Sequence, residues 1–154
     1  RVEGFCIVSS DSDFTRLATR LREAGMKVIG IGEKKTPDPF ITACDKFIYI
    51  EILAAEDVST PDVKTRRTKK DSLQQLDKRV ITLIKSSIND LADEGGWAFL
   101  GEVGTLILKK QPNFDARNYG FRKLLQLMKS VDDIEVDERQ SENGGTRHVY
   151  VKVK

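Results

Sequence analysis

The sequence predicts two small folded units, a parallel α/β unit followed by an α+β unit. In residues 4–51, short apolar runs alternate with helical periodicity in the order β-α-β-α-β, which is typical of a parallel sheet with right-handed crossovers. The later residues predict three helices and a closing β-hairpin. We therefore expect an α/β unit at 1–55, a linker at 56–76 and an α+β unit at 77–154.

Composition favours a soluble, reduced, cytoplasmic protein. The chain has 154 residues, 39% of them hydrophobic and 32% charged, with a net charge of only +2. Attraction to nucleic acid must therefore come from local patches of charge. Cys6 and Cys44 both lie among apolar residues without metal-ligand spacing, and we expect both in the core. No signal peptide or membrane-length apolar run is present.

The first unit follows from three apolar runs. Residues 5–8 are continuously apolar, which predicts a strand buried on both faces, and a helix that ends near Gly25 follows them. Residues 27–31 predict the second strand. Pro39 is expected to begin a short helix that ends at residue 43, and residues 47–50 predict the third strand. Because three strands make a small sheet, we expect this chain to be a piece of a longer protein.

The linker has a different composition. Residues 56–76 lack an apolar period, and five of the seven residues at 64–70 are basic. This predicts a solvated tether, with contact to phosphates as the alternative.

The second unit has the order of a winged helix. A helical face over 76–91 is broken by two glycines at 95–96, and a second helix over 100–108 stops near Pro112. Trp97 is expected to plug the core between helices, with base stacking as the alternative. The third helix is predicted from Asp115 through Ser130. Alternating residues then predict a hairpin that pairs 134–136 with 149–153 through a turn at 141–146.

Two carboxylates stand where the first strand gives way to the first helix. Asp11 and Asp13 lie among serines at the carboxyl end of a parallel strand, which is where open α/β sheets bind ligands. Two acidic groups there could hold Mg²⁺ or Mn²⁺. The same residues also fit a helix cap, with Ser10 and Asp13 as a capping box. The pattern leaves both interpretations open.

The predicted third helix is basic on one face. Residues 116–130 contain four basic residues and no acidic one, although residues 80–154 balance 11 of each. A basic helix on a neutral domain indicates a phosphate-binding surface, with a solvated outer face as the alternative. The candidate nucleic-acid-binding residues are Arg117, Asn118, Arg122, Lys123, Gln126, Lys129 and, on the hairpin, Arg147 and Lys152.

Both halves resemble known families. The stretch at 9–14, together with residues 25–30 and 47–49, resembles the C-terminal half of a NYN domain, which is PIN-like, with a Rossmann-like sheet. Residues 78–154 resemble an OST-HTH/LOTUS winged helix at Gly96-Trp97, at 112–114, at 119–121 and at 149–151. The pairing is similar to that of bacterial LabA-like, DUF88-type proteins.

The resemblance implies an RNA-related function. NYN domains are thought to cleave RNA with acidic residues around Mg²⁺ or Mn²⁺, so Asp11 and Asp13 would inherit a metal-ligand role. The family's earlier acidic residues have no counterpart here, and this predicts an inactive fragment of a ribonuclease. The LOTUS resemblance implies RNA as a partner. The alternatives are a non-catalytic RNA-binding or protein-adaptor module and a DNA-binding winged helix.

Overall fold

The computed structural model describes residues 2–56, 76–140 and 147–154, and the chain divides into two compact units. The first unit combines the N-terminal residues with residues 108–118, and the second contains 76–107 and 119–154 among the described residues. Most of the expected linker, at 57–75, and the expected hairpin turn at 141–146 lie outside the described residues.

The first unit is built on a three-stranded parallel sheet. Its three strands lie side by side in chain order, and each crossover contains a helix, so the predicted β-α-β-α-β order is confirmed. The predicted last strand is one residue too long, because Ile50 begins a further helix that was not predicted. The elements are β1 (Gly4–Val8), α1 (Thr15–Glu23), β2 (Lys27–Gly32), α2 (Asp38–Ala43), β3 (Lys46–Tyr49) and α3 (Ile50–Glu56), with a 3₁₀ turn at Ser12–Phe14.

An aromatic cluster forms the core of this unit. The Phe40 and Phe47 rings are 5.9 Å apart in an edge-to-face arrangement, and Phe47 lies 5.6 Å from Tyr49. Gly30 leaves room for this cluster, because a Cβ atom there would lie 2.5 Å from the Phe47 ring. Burial of these rings anchors the sheet whose carboxyl edge carries the acidic residues.

The prediction that the first strand is buried on both faces is wrong. Phe5 is 41% exposed and Val8 is 69% exposed. Among the described strands, β1 pairs only with β2, because it stands at the end of the strand order. The expectation for the two thiols is therefore only half correct, since Cys44 is buried and Cys6 is exposed.

The second unit packs helices on a small antiparallel sheet of three strands, in which the last strand of the chain lies between the other two. Its first helix begins where Asp77 accepts a hydrogen bond from the backbone N–H of Val80 at 2.9 Å. The predicted hairpin is confirmed, with Val136 opposite Val151. The elements are α4 (Lys78–Leu91), β4 (Ala98–Phe99), α5 (Leu100–Lys110), α6 (Leu124–Lys129), β5 (Ile134–Gln140) and β6 (Arg147–Val153).

The prediction of one continuous third helix from Asp115 through Ser130 is wrong. A 3₁₀ turn at Ala116–Tyr119 is followed by Gly120 at φ +86°, in the left-handed region that ends helical segments. The chain is extended at Lys123 before α6 begins. The residues expected to share one helix face therefore lie on separate segments.

No helix in residues 2–56, 76–140 and 147–154 combines the length and the apolar character needed to cross a membrane.

Candidate functional site

A cleft lies at the carboxyl ends of the three parallel strands. It has a volume of about 580 Å³. Gly32 lets two chain segments approach there, because a Cβ atom on it would lie 2.4 Å from the carbonyl oxygen of Ser9. The Ser10 hydroxyl accepts a hydrogen bond from the Glu33 N–H at 2.9 Å and joins the two walls. The lining residues are Val8, Ser9, Ser10, Asp11, Ser12, Ile31, Gly32, Glu33, Lys35, Pro37 and Ile50.

The two predicted acidic residues have different positions. Asp11 lines the cleft, and its Oδ1 accepts a hydrogen bond from the Asp13 N–H at 2.9 Å, which caps the 3₁₀ turn. Asp13 is exposed in the same turn and is not among the residues that line the cleft. Asp11 therefore provides the cap that the sequence assigned to Ser10, and it also faces the cleft.

The side chains present do not by themselves fit a divalent metal centre. In the described part of the chain, no three His, Cys, Asp or Glu side chains come together as a metal-binding group. Glu33 is the other acidic residue of the cleft, and its carboxylate forms an ion pair with Lys35 at 2.8 Å. The hydrogen bond to Glu33 and the negative charge of Glu33 raise the pKa of Lys35 above its ordinary value. Mg²⁺ and Mn²⁺ require more oxygen ligands than Asp11 alone supplies.

Two of the predicted RNA-binding residues are engaged in contacts within the protein. Asn118 is only 2% exposed, and its Nδ2 donates to the Asn113 carbonyl at 3.1 Å. Arg117 forms a two-pronged contact with Asp115, with Nε to Oδ1 at 3.0 Å and NH2 to Oδ2 at 2.8 Å. Burial raises the pKa of Asp115, but the hydrogen bonds and charge of Arg117 outweigh it and leave that pKa below its ordinary value.

Four other predicted residues lie on α6 or just before it. Arg122 and Lys123 are exposed in the segment before the helix. Gln126 accepts a hydrogen bond from the Arg122 N–H at 3.1 Å, so its amide oxygen ties the segment before α6 to the first turn of the helix. Lys129 donates to Glu138 at 2.5 Å, and this contact lowers the pKa of Glu138. Arg122 and Lys123 thus present the clearest positive charge of this group.

The two predicted hairpin residues point to opposite faces of the sheet. Successive side chains of a strand alternate between faces, so Arg147 lies on the face of the buried Val151 and Lys152 lies on the other. Arg147 reaches Glu138 at 4.0 Å, beside Lys129. Lys152 instead donates to the Gly95 carbonyl at 2.9 Å.

The sequence did not predict that Trp97 and Phe99 join the hairpin residues around Lys152 on one face of the sheet. Trp97 is half-buried on this face and does not plug the core between helices, which corrects the expectation for it. Phe99 contributes a second ring from β4, a strand of only two residues whose length gives no periodic signal. The available clue was the alternation of polar and valine residues along β6.

Comparisons with known proteins match both halves of the chain. Residues 1–51 match the NYN domain family, and residues 71–146 match the OST-HTH/LOTUS domain family. A solution NMR structure of an uncharacterized protein of Nitrosomonas europaea is 30% identical, with 62% of this chain and 88% of that chain covered and a TM-score of 0.47. The chain matches none of the curated proteins.

Proposed function

From the pairing of two domain families we infer that this chain is an RNA-binding module. Residues 1–51 match an NYN domain fragment, which is ribonuclease-like. Residues 71–146 match an OST-HTH/LOTUS domain, which is an RNA-binding type. The second unit of the chain holds the RNA. The first unit contributes a nuclease-type fold that does not cleave RNA by itself.

The arrangement of the second unit supports RNA binding. Helices α4, α5 and α6 precede the β5–β6 hairpin, which is the element order of a winged helix. Arg122 and Lys123 are exposed before α6, and Lys152 lies on the hairpin. Local cations on a nearly neutral chain attract the phosphate backbone at specific places. This local charge is the observation that carries the proposal.

The small number of carboxylates available in the cleft supports the proposal that this chain does not cleave RNA by itself. Asp11 faces the cleft, whereas Asp13 does not line it, and Glu33 is paired with Lys35. Metal-assisted hydrolysis of a phosphodiester needs an ion held firmly enough to activate water and to stabilise charge on the phosphate. A single carboxylate among serines binds such an ion weakly.

The alternative is a metal-dependent ribonuclease in a longer protein. The position of Asp11 favours it, because ligands of open α/β sheets bind at the carboxyl ends of the strands. In that case further acidic ligands would complete a Mg²⁺ or Mn²⁺ site around Asp11, and the second unit would raise the local concentration of RNA.

A binding and cleavage assay separates the two. The chain is mixed with labelled single-stranded RNA and Mn²⁺, and we expect a shifted complex with intact RNA. Asp11→Asn should bind equally well, as should Asp38→Asn, a control at an exposed carboxylate that does not line the cleft.

Two results would contradict the proposal. Cleavage by the unaltered chain that is lost in Asp11→Asn but kept in Asp38→Asn would establish the enzyme. Failure of the unaltered chain to bind RNA, with binding of duplex DNA or of a protein instead, would remove RNA as the partner.

A further inference from the structure

One face of the antiparallel sheet collects most of the aromatic side chains of the second unit. Phe99 is directly opposite Tyr150, and Arg139 is directly opposite His148. Directly opposed residues of antiparallel strands share a face, and Tyr150 and His148 are two positions apart on β6. We call the rings and cations of this surface the ring face; they are Trp97, Phe99, Arg139, His148, Tyr150 and Lys152, and the acidic Asp137 and Glu135 lie on the same side of the sheet.

The rings and cations of the ring face are in mutual contact. The Arg139 guanidinium lies 4.4 Å from the Tyr150 ring centre and 5.6 Å from that of Trp97. The Phe99 ring lies 5.9 Å from Tyr150 and 5.8 Å from His148. These distances define a continuous row of flat groups along the sheet.

A tight turn fixes the position of Trp97. The Asp93 carboxylate accepts hydrogen bonds from the N–H groups of Gly95 and Trp97, both at 2.9 Å. Gly96 has φ +81°, and a Cβ atom there would lie 3.1 Å from the Lys152 side chain. Because the backbone around the indole is tied down, little conformational entropy remains to be lost when a ligand stacks on it.

The inner face of the same sheet is already covered. Val151 is fully buried there, and the charged pair of Lys129 and Glu138 lies at its margin. The ring face has the opposite character, since its rings are half-buried and His148 is exposed. A contiguous group of partly exposed rings is typical of an interaction surface.

The charge of the ring face favours stacking over general attraction to phosphate. Arg139 and Lys152 are accompanied by two acidic side chains of β5, Asp137 and Glu135, and Asp137 forms an ion pair with Arg139 at 2.8 Å. Duplex recognition relies on many phosphate contacts, whereas an unpaired base offers its flat surface to a ring. The face therefore suits a ligand with exposed bases and few phosphate contacts.

We propose that the ring face stacks the unpaired bases of single-stranded RNA on Trp97, Tyr150 and Phe99, while Lys152 meets the backbone. This rests on the proposed function, and it assigns RNA contact to the sheet in addition to the segment before α6. Bases stack on aromatic side chains with little dependence on sequence, so the face should accept many unpaired sequences.

Tryptophan fluorescence tests the proposal directly, because Trp97 is the only tryptophan of the chain. Titration with single-stranded oligouridylate should quench its emission, and duplex RNA of equal length should quench it much less. Tyr150→Leu and Phe99→Leu should each weaken binding of the single strand by roughly 5- to 150-fold. Phe14→Leu is the matched control, because Phe14 is 40% exposed in the first unit, and it should bind as the unaltered chain does.

The outcomes distinguish this inference from the proposed function. If the unaltered chain binds RNA while Trp97 emission stays constant and both leucine variants bind equally well, the ring face is wrong and RNA binding stands. If duplex RNA quenches as strongly as the single strand, the preference for unpaired bases is wrong. If the unaltered chain binds no RNA, both proposals fail. Should a leucine variant unfold, Arg139→Gln is the second test, because it leaves all rings in place: the single strand should still quench Trp97 in this variant, and loss of the quenching would contradict stacking on the rings.

Discussion

The two thiols have opposite environments although both sit in apolar sequence. Burial raises the pKa of Cys44 to about 11, and its Sγ donates to the Phe40 carbonyl at 3.3 Å. Cys6 is exposed on β1. Thiolates, and not thiols, react with alkylating reagents, so the two residues should differ strongly in reactivity.

We therefore expect a native-state alkylation experiment to label one thiol rapidly. Iodoacetamide near neutral pH should modify Cys6, with Cys44 reacting only after denaturation, as mass spectrometry of peptides would show. Cys6→Ser should abolish the rapid phase. Rapid labelling of Cys44 in that variant would contradict its buried position.

At the level of single residues, the sequence predicted where a residue lies in the fold better than it predicted whether its side chain is exposed. Asp11 was expected at the carboxyl edge of the sheet and lines the cleft there. Asn118 was expected on an exposed face but is buried, because the turn at Ala116–Tyr119 rotates it away from the helical position. Helical spacing predicts a shared face only where the helix is continuous.

At the scale of elements, the Asp115–Arg117 pair holds the turn before α6. The side chains are only 13% and 26% exposed, and both carboxylate oxygens receive guanidinium hydrogen bonds. Removal of the guanidinium would leave a mostly buried carboxylate without these partners. Arg117→Gln should lower the free energy of unfolding by about 1–3 kcal/mol near neutral pH.

The same pair predicts an acid dependence. In the folded state the pKa of Asp115 is below its ordinary value of 3.8. The ion pair therefore stabilises the fold fully at pH values above 3.8, and this stabilisation is lost as the pH falls below that value and through the lowered pKa. Urea unfolding should therefore show the Arg117→Gln difference shrinking below about pH 4. Arg20→Gln removes an exposed pair with Glu23 and should change stability little at either pH. An undiminished Arg117 effect in acid would contradict the electrostatic explanation.

Long periodic elements were predictable and short ones were not. The predicted helix at 76–91 and the hairpin strands are present, because each repeats its apolar residues over several turns or alternations. Helix α3 was missed because its first residue continues the apolar run of β3. The third helix failed because Gly120 takes a left-handed conformation, which helical periodicity alone does not reveal.

At the scale of the whole molecule, local charge should control RNA binding. Each phosphate contact with a single strand contributes about 0.7 to the slope of log affinity against log salt. Replacement of both Arg122 and Lys123 by Ser should weaken binding and reduce that slope by about 1.4, in filter-binding titrations at several salt concentrations. Lys129→Ser is the matched control, because Glu138 already pairs with Lys129 and the slope should change less. An unchanged slope in the double variant would place the phosphate contacts elsewhere.

The grouping of residues 108–118 with the N-terminal sheet could not be predicted. The Phe47 N–H donates to the Pro112 carbonyl at 2.8 Å, and the Asn113 amide donates to the Tyr49 hydroxyl at 2.7 Å. These bonds join residues more than 60 positions apart, with a separation of 64 for Asn113 and Tyr49. Composition and periodicity are local properties, and they predicted two units while missing a connection of this range.

The first strand also has a consequence for how the protein behaves at high concentration. Gly4–Val8 contains no charge, proline or bulge, which are the usual devices that keep strand edges from pairing with a second molecule. Val8 at the end of the strand is 69% exposed, and Val2 just before the strand is 58% exposed. We expect copies of the chain to associate along this edge at high concentration, and Val8→Lys to reduce that association in sedimentation measurements.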